Sequence, residues 1–282
     1  MIDRACISIN NRCNLSCAYC HFHTPEKSKH LAEADMDVIA VLDNITEHIE
    51  RHGINVFKLG FVGNGEPLLD FDTLVRYIEH IGGYLSSGRI AAYTITNGTL
   101  VTEEKLEFFK RYHVNVGFSI DGIAKIHNKY RCKTHTAVMR AIEVYHKVNG
   151  CYPSMNCTVS RDVLDSAEET IAFFEQFGSR ITFSRMIGKN GIGAEEFQGF
   201  LEKAKQRLNV RTGGYDCTMY GGSCGAGINN IFYANGKIFI CGNCVDLPTT
   251  YSSDTRLDDV GFDVGEFDRC RCYKEMIGGD SA

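Results

Sequence analysis

Short apolar stretches alternate along most of the chain with longer segments whose apolar residues recur every three or four positions. The short stretches predict six strands, at residues 5–9, 56–62, 91–96, 114–120, 154–159 and 180–185. The periodic segments predict helices at residues 37–52, 71–84, 102–112, 136–148, 163–177 and 194–208. Gly53 and Thr102 fit these boundaries, because glycine often ends a helix and threonine often caps its start. The alternation indicates βα units around a parallel sheet.

Six βα units are fewer than the eight that close a TIM barrel, so the pattern predicts an α/β fold with an open, partial (β/α)6 TIM-like barrel. In such a fold the site lies at the carboxyl ends of the strands. The segments with candidate chemistry follow the ends of the first four predicted strands, at residues 13–20, 63–67, 96–98 and 119–122. We therefore expect them at one rim of the barrel.

Beyond residue 210 the chain turns to glycines, short strands and cysteines, with few residues able to form a core. Such a stretch needs another source of stability, which bound metal supplies in many small domains. We predict two domains, a barrel at residues 1–210 and a small cysteine-rich domain at residues 211–282.

Length and charge exclude several functions. A chain of 282 residues suits one large domain with a small appendage. The formal charge of -5 and the lack of a Lys/Arg block argue against tight nucleic-acid binding, which depends on phosphate contacts. The chain opens into a strand rather than a signal peptide, and its apolar runs are shorter than the roughly 18 residues of a membrane span. The sequence predicts a cytoplasmic protein without nucleic-acid or membrane partners.

Thirteen cysteines without a signal peptide indicate metal binding in a reducing compartment rather than disulfides. Three of them lie in the first loop. Six follow residue 216: Cys217, Cys224, Cys241, Cys244, Cys270 and Cys272. The other four are expected to be small buried residues: Cys6, Cys132, Cys151 and Cys157.

Cys13, Cys17 and Cys20 form a CxxxCxxC pattern directly after the first predicted strand. A structural zinc site uses four protein ligands, whereas three clustered thiolates suit a four-iron cubane whose fourth iron stays free. The sequence therefore predicts an iron-sulfur cluster with an open corner.

These three cysteines, with Tyr19 beside the last and Gly65-Glu66-Pro67 later in the chain, resemble the radical S-adenosylmethionine (SAM) enzymes. The resemblance covers nearly the whole chain and implies that Cys13, Cys17 and Cys20 hold a catalytic [4Fe-4S] cluster whose open iron chelates SAM. One electron from such a cluster cleaves the sulfonium and gives a 5'-deoxyadenosyl radical. It also implies a flavodoxin- or ferredoxin-type electron donor.

The same resemblance assigns cofactor contacts. Residues 63–67 would let the backbone approach the cofactor, with Glu66 or nearby carbonyls accepting from its ammonium group. The commonest family form has two adjacent glycines before the glutamate, and Asn64 breaks that pair. Asn97 corresponds to a ribose contact, and Ser119 and Arg161 to residues at the methionine end. The implied set is Tyr19, Gly63, Asn64, Gly65, Glu66, Pro67, Asn97, Ser119 and Arg161.

Asp121, His127 and Arg131 resemble a stretch of the subgroup that carries an additional cluster domain at the C-terminus. In that interpretation they contact substrate. A structural interpretation competes, since an aspartate that caps a turn and an arginine that pairs with it serve the fold equally well. The sequence leaves both open.

Cys224, the Asn235-Gly236-Lys237 hairpin turn and Cys241 resemble the opening half of the SPASM domain. Too few cysteines follow for the full domain, so the chain is closer to the shortened twitch version with one auxiliary [4Fe-4S] cluster. The expected ligands are Cys224, Cys241, Cys270 and Cys272, with Cys217 and Cys244 as alternates. A second, incompletely ligated cluster and a zinc site are the alternatives.

A fully ligated auxiliary cluster would accept the electron left after hydrogen abstraction. That role predicts net oxidation to a carbonyl, an alkene, or a new ring or thioether link. Epimerisation is the alternative, in which a thiol returns a hydrogen atom, and its candidate donors are Cys151, Cys157, Cys217 and Cys244. Gly242 follows Cys241 where sulfatase-maturing relatives place an aspartate base, which disfavours formylglycine formation.

Relatives with this layout mostly modify ribosomally made peptides or proteins, and we expect an oxidoreductase of peptide maturation. Twelve residues precede Cys13, so a separate leader-recognition protein would present the peptide, or the substrate is small. The enzyme alternatives are dehydrogenation of an aminocyclitol or sugar and activation of a glycyl-radical enzyme. The non-enzyme alternative is an iron-sulfur electron carrier or redox sensor, which has no need of a SAM-binding segment.

Overall fold

The computed structural model describes residues 1–20, 36–186, 191–213, 225–245 and 247–263. In this part of the chain, one sheet contains the strands β1 (Arg4–Ser8), β2 (Phe57–Val62), β3 (Ile90–Thr96), β4 (Asn115–Ser119), β5 (Ser154–Val159), β6 (Arg180–Arg185), β7 (Asn209–Gly213), β8 (Asn230–Ala234) and β9 (Lys237–Phe239). The six predicted strands are β1 to β6, each within one residue of its expected bounds. Membership of β7 to β9 in the same sheet was not predicted.

The strand order is β7-β6-β5-β4-β3-β2-β1-β8-β9. All neighbours are parallel except β8 and β9. Because β1 to β6 are adjacent in sequence order, right-handed crossovers place the connecting helices on one face of the sheet. The result is an α/β fold with a parallel sheet, consistent with the predicted partial barrel.

The helices are α1 (Val38–His52), α2 (Phe71–His80), α3 (Gly82–Ser86), α4 (Glu103–Arg111), α5 (Ala124–Tyr130), α6 (His135–Asn149), α7 (Arg161–Asp165), α8 (Ala167–Glu175) and α9 (Ala194–Lys205). Thr102 caps α4 as predicted, accepting a hydrogen bond from the Lys105 N–H at 3.3 Å. None of the helices in the described ranges combines the length and the apolar character needed to cross a bilayer.

Two predicted helices are each divided in the structure. The segment 71–84 breaks at Ile81, before two glycines that favour helix weakly, and the segment 163–177 breaks at Ser166. Its first part, α7, also begins two residues earlier than expected. Ser160 explains that earlier start, because its side chain accepts from the backbone N–H of Val163 and so caps α7.

The main hydrophobic core lies between the sheet and the helices. Successive side chains of a strand point to opposite faces, and in β1 the core-facing residues are Ala5 and Ile7. They are buried in the same core as Leu42 of α1 and Phe118 of β4.

The opposite face of β1 to β6 lines the inside of the partial barrel, here called the lumen. It is more polar than the core. Ser119, Asn156 and Thr182 lie in direct register across β4, β5 and β6 on this face. Toward β8 the inner face becomes apolar, where Cys6 packs against a cluster that includes Phe232.

Strands β8 and β9 form the predicted hairpin. Asn235 and Gly236 make a two-residue turn with φ of 52° and 71°, as type I' turns require. Because β8 runs parallel to β1, the turn lies at the carboxyl rim, where the Asn11 amide donates to Asn235 Oδ1 at 2.8 Å. The predicted domain boundary after residue 210 falls within β7, which pairs with β6.

Candidate active site

The CxxxCxxC loop leaves the carboxyl end of β1 and is held to the rim by backbone hydrogen bonds. Ala18 N–H donates to the Tyr130 carbonyl at 2.9 Å, and Cys20 N–H donates to the Cys17 carbonyl at 3.0 Å. Cys13, Cys17 and Cys20 are all half-buried. The structure thus places the three predicted cluster ligands together at the expected rim.

The donor set of the loop fits a cluster with an open iron. It offers three thiols, whereas a structural zinc site closes its tetrahedron with four protein ligands and a cubane carries each thiolate on a different iron. Two N–H donors also face Cys13 Sγ, from Leu15 at 3.4 Å and from the Asn97 side chain at 3.9 Å.

Burial raises the pKa of Cys13, and it raises the pKa of Cys17 to about 11. The nearby Arg131 guanidinium opposes that shift at Cys17. The Cys13 and Cys17 thiols of the unloaded loop are therefore protonated at neutral pH, and iron must displace their protons on binding.

Glu66 joins the loop after β2 to the loop after β3. Its side chain is 2% exposed, and its carboxylate accepts from Thr96 Oγ1 at 2.7 Å, from the Asn97 N–H at 2.7 Å and from the Leu68 N–H at 3.1 Å. Burial nevertheless raises its pKa. The expected contact of Glu66 or nearby carbonyls with a cofactor ammonium group stays a prediction.

The glycines of residues 63–67 let the chain segment before the cysteine loop pack closely. A Cβ at Gly65 would lie 2.0 Å from the Arg12 carbonyl oxygen, and one at Gly63 would lie 3.1 Å from the Asn10 carbonyl oxygen. These glycines therefore admit the segment that leads to Cys13. Their predicted backbone approach to the cofactor stays a prediction. Pro67 begins a short 3-10 helix, Pro67–Asp70.

Asn64 and Asn97 both brace the cysteine loop. Asn64 is buried, and its amide donates to Asn11 Oδ1 at 3.0 Å. The Asn97 amide donates to Asn14 Oδ1 at 2.9 Å, and its Oδ1 accepts from the Thr99 N–H at 3.0 Å. The predicted cofactor contacts of both residues stay predictions, and the observed contacts position the loop.

Asp121, Tyr19 and Arg131 form a buried network beside Cys17. Asp121 Oδ2 accepts from the Tyr19 hydroxyl and from Arg131 Nε at 2.8 Å, and its Oδ1 accepts from the Thr158 N–H at 2.9 Å. The Arg131 guanidinium also lies 5.3 Å from the centre of the Tyr19 ring. The Asp–Arg pairing of the structural interpretation is thus observed. The network gives the Tyr19 hydroxyl an acceptor, Asp121, and places the Arg131 guanidinium near Cys17, a predicted cluster ligand.

His127 is a neutral part of this network. Its Nδ1 accepts from the Asp121 N–H at 3.3 Å, so Nε2 carries the proton and donates to Thr134 Oγ1 at 3.0 Å. Burial lowers the pKa of His127 to about 4. The imidazole therefore positions the turn after β4 rather than acting as a cation at neutral pH.

The two residues predicted at the methionine end of the cofactor differ in their surroundings. Ser119 is half-buried at the carboxyl end of β4 and faces the lumen. Arg161, the first residue of α7 after the carboxyl end of β5, makes a two-bond ion pair with Glu196 of α9, at 2.5 and 2.8 Å. Its expected contact with the cofactor stays a prediction.

Only two of the predicted auxiliary ligands lie within the described residues. Cys241 and Cys244 follow β9, and their Sγ atoms are 3.3 Å apart. Sulfur atoms in contact across a CxxC step are typical of a metal-binding pair. Cys217, Cys224, Cys270 and Cys272 lie outside the described residues.

Three of the four cysteines outside these groups differ from the expected small buried residue. Cys157 is buried as predicted, on the core side of β5, whereas Cys151 and Cys132 are exposed. Cys132 lies beside the cluster loop, where its Sγ accepts from the Ser16 N–H at 3.4 Å. Cys6 faces the lumen and contacts the Tyr93 hydroxyl at 3.3 Å. Strand alternation between Ala5 and Ile7 was the signal that could have placed Cys6 on the inner face.

These positions correct the predicted hydrogen-atom donors. Cys157 points into the helix side of the sheet, and Cys151 precedes β5 at the rim opposite the thiol loop. Neither residue lies on the lumen face of the described strands. Cys244 is paired with Cys241.

Comparison with known proteins agrees with this geometry. The family model of the Radical SAM superfamily matches residues 7–204. The chain is 29% identical over 182 residues to the radical SAM cyclopropyl synthase TigE of Paramaledivibacter caminithermalis, covering 60% of this chain and 38% of that protein. It is 28% identical over 123 residues to a cysteine-type anaerobic sulfatase-maturating enzyme of Clostridium novyi, covering 43% of this chain and 33% of that protein. The chain thus matches less than half the length of each.

Solved structures share the fold at low identity. Native anSMEcpe with bound AdoMet and Cp18Cys peptide superposes with a TM-score of 0.71 at 19% identity, covering 99% of this chain and 91% of that one. Streptococcus suis SuiB bound to S-adenosylmethionine gives 0.71 at 17% identity, covering 99% and 71%. Since the matched family region runs from within β1 to within α9 and contains the loops that follow β1 to β4, the chain belongs to the Radical SAM superfamily.

Proposed function

We propose that this enzyme abstracts a hydrogen atom from a C–H bond of a ribosomally made peptide or protein. The observation that carries the proposal is the position of Cys13, Cys17 and Cys20 at the carboxyl rim, where Glu66 and Asn97 brace the loop beside the lumen. Family membership implies a [4Fe-4S] cluster with SAM at this rim. When bound, they would supply a 5'-deoxyadenosyl radical.

The chain's own residues prepare the rim for this group. Cys13, Cys17 and Cys20 would hold the cluster through one thiolate each. Arg131, packed against the Tyr19 ring and close enough to Cys17 to affect its pKa, would offset negative charge there. The loops that carry Glu66 and Asn97 fix the thiol loop before any ligand arrives, which limits the reorganisation needed on binding.

The lumen suits a polar substrate such as a peptide. Ser119, Asn156 and Thr182 offer a row of hydrogen-bonding groups across β4 to β6. A peptide backbone presents alternating N–H and C=O groups that such a row can satisfy. Relatives named as a sulfatase-maturating enzyme and as a complex with the Cp18Cys peptide support the same substrate class. The reaction outcome within this class, oxidation, crosslink or epimerisation, depends on what the substrate radical meets.

We also propose an auxiliary iron-sulfur site at the end of β9. Cys241 and Cys244 supply two adjacent thiols, and the remaining ligands would come from Cys224, Cys270, Cys272 and Cys217. Since β9 runs antiparallel to β8, Cys241 lies toward the rim opposite Cys13. An auxiliary cluster near Cys241 would accept or donate electrons from the side of the lumen opposite Cys13.

The test is iron and sulfide content with EPR on anaerobically reconstituted protein, together with a 5'-deoxyadenosine assay. About eight irons per chain, two [4Fe-4S] clusters, are expected in the wild type. A Cys13→Ala, Cys17→Ala, Cys20→Ala variant should keep about four irons and lose 5'-deoxyadenosine. Cys151→Ala is the matched control and should change neither.

Two outcomes would contradict the proposal. About four irons that vanish in the triple variant, with zinc in the remainder, would mean that the C-terminal cysteines are structural. Iron-sulfur spectra without any 5'-deoxyadenosine would indicate an electron carrier or redox sensor instead of a radical enzyme.

A further inference from the structure

Cys6, Gly60 and Tyr93 lie on three adjacent strands and contact one another on the lumen face. Cys6 of β1 lies in direct register with Gly60 of β2, and Gly60 lies in direct register with Tyr93 of β3. The Tyr93 side chain crosses β2, and its hydroxyl reaches Cys6 Sγ at 3.3 Å. A thiol and a phenol are therefore in hydrogen-bond contact in the middle of the barrel.

Gly60 makes this contact possible. A Cβ at residue 60 would lie 2.7 Å from Tyr93 Cζ, 2.8 Å from its hydroxyl oxygen and 3.0 Å from Cys6 Sγ. Any larger side chain on β2 would occupy the space through which the phenol passes. The pair is thus built by three strands together.

The Cys6–Tyr93 pair lies between the cluster loop and the Cys241–Cys244 pair. Cys6 is two residues before Ser8, whose hydroxyl donates to the Asn10 carbonyl at 3.2 Å just ahead of the cluster loop. On the other side Cys6 pairs with Phe232 of β8, which pairs with Phe239 of β9, two residues before Cys241. A radical formed on a substrate in the lumen would lie next to the Cys6 thiol.

We propose that Cys6 returns a hydrogen atom to the carbon radical of the substrate, with Tyr93 positioning its thiol. This inference rests on the proposed function and selects the epimerisation outcome. A thiol S–H bond is weak enough to give its hydrogen atom to a carbon radical.

The proposed reaction transfers one hydrogen atom from Cys6 and consumes two electrons. When bound, SAM would take up one electron and supply methionine and a 5'-deoxyadenosyl radical, and that radical would become 5'-deoxyadenosine by taking a hydrogen atom from the substrate C–H bond. The Cys6 S–H bond breaks, its hydrogen atom forms a new C–H bond on the substrate, and a thiyl radical remains on sulfur. A second electron and one proton restore the thiol. Both electrons come from a one-electron donor of the ferredoxin or flavodoxin class.

Cys6 is the described cysteine that strand alternation places on the lumen face of β1 to β6. Cys157 faces the core, Cys151 and Cys132 lie outside the strands and are exposed, Cys241 and Cys244 are paired after β9, and Cys13, Cys17 and Cys20 are the predicted cluster ligands. The Cys151 and Cys157 thiols provide internal controls, because both remain in every variant of Cys6.

The test uses reconstituted enzyme in D2O with SAM and titanium(III) citrate, without thiol reductants and without substrate. The radical from uncoupled SAM cleavage then takes hydrogen from weak bonds that line the lumen, and an S–D bond marks the product. Mass spectrometry should find singly deuterated 5'-deoxyadenosine in the wild type and in Cys157→Ala. The deuterium should fall to background in Cys6→Ala and Cys6→Ser, and it should fall in part in Tyr93→Phe.

Unchanged deuterium in both Cys6 variants, or a wild-type product without deuterium, overturns the assignment of Cys6. Absence of 5'-deoxyadenosine in the wild type overturns the proposed function as well, so the two failures are distinguishable. Iron content and circular dichroism confirm that each variant is folded and loaded. Cys6→Ser keeps the size of the side chain in case Cys6→Ala fails to fold.

A second readout needs no turnover. Reconstituted protein treated with iodoacetamide is digested, and the labelling of each cysteine is followed by mass spectrometry. A lumen-facing Cys6 should label more slowly than exposed Cys151 and faster than buried Cys157, and Tyr93→Phe should speed its labelling by freeing the thiol. Labelling of Cys6 as slow as that of Cys157 would show that the thiol is closed off from the lumen and would overturn the proposal.

Discussion

The carboxylate of Glu66 accepts a hydrogen bond from the backbone N–H of Asn97 at 2.7 Å. The same glutamate donates its backbone N–H to the Arg12 carbonyl at 2.8 Å. One buried residue therefore ties together the loops that follow β1, β2 and β3. The thiol loop owes its position to this contact, since Cys13 directly follows Arg12.

Replacing Glu66 by glutamine should loosen this junction. The amide nitrogen of glutamine cannot accept from an N–H donor, so either Asn97 or Thr96 loses its partner in a buried site. We expect a loss of about 1–3 kcal/mol in the free energy of unfolding, measured by urea denaturation. Iron retention after gel filtration should fall in parallel. Glu103→Gln, an exposed residue paired with Lys147, is the control and should leave both unchanged. Equal stability of the two variants would contradict the junction role.

Arg131 and Asp121 should behave as a coupled buried pair. Asp121 is 1% exposed and the Arg131 side chain is 11% exposed. Arg131→Gln leaves the Asp121 carboxylate buried without its cation, and we expect a loss of about 3–5 kcal/mol in the free energy of unfolding. Adding Asp121→Asn should recover part of that loss, because no unpaired charge remains. A double variant as unstable as the sum of the two single variants would show that the charges are not coupled.

His127 should make stability depend on pH in the mildly acidic range. Its pKa is about 4 in the folded protein, lowered by burial, against an ordinary value of about 6.5 in the unfolded chain. Between these values the unfolded chain binds the additional proton, so the free energy of unfolding falls as the pH drops from about 6.5 to about 4. The His127 contribution to this fall is about 3 kcal/mol.

His127→Gln provides the comparison for that pH dependence. Glutamine can accept from the Asp121 N–H and donate to Thr134 without titrating. Urea denaturation across pH 4 to 7 should show a flatter curve for the variant than for the wild type. Parallel curves would mean that another group controls stability in this window.

Gly60→Ala should disturb the lumen through Tyr93. The new methyl group would lie 2.7 Å from Tyr93 Cζ, a contact that forces the ring or the strand to move. We expect a cost of about 1–3 kcal/mol in the free energy of unfolding. In a Tyr93→Ala background the same substitution should cost much less, because the ring is gone. A cost that is equal in both backgrounds would place the strain elsewhere.

Periodicity alone located β1 to β6 and most of the helices, because a strand or helix buried on one face must repeat its apolar residues at period 2 or 3.6. The spacing of Cys13, Cys17 and Cys20 likewise identified the ligand loop, since a short loop brings its own cysteines together whatever the rest of the fold does. Contacts between distant segments produce no comparable pattern in the sequence. The sequence offered no sign that Glu66 would be enclosed by Thr96, Leu68 and Asn97, or that Arg161 would pair with Glu196.

The same division applies to the lumen. The sequence by itself determined that this chain forms βα units with a cysteine loop after the first strand, since both depend on local order. Only the tertiary structure brought Cys6, Gly60 and Tyr93 into contact, because they meet through strand register, and register is set by the packing of the whole sheet.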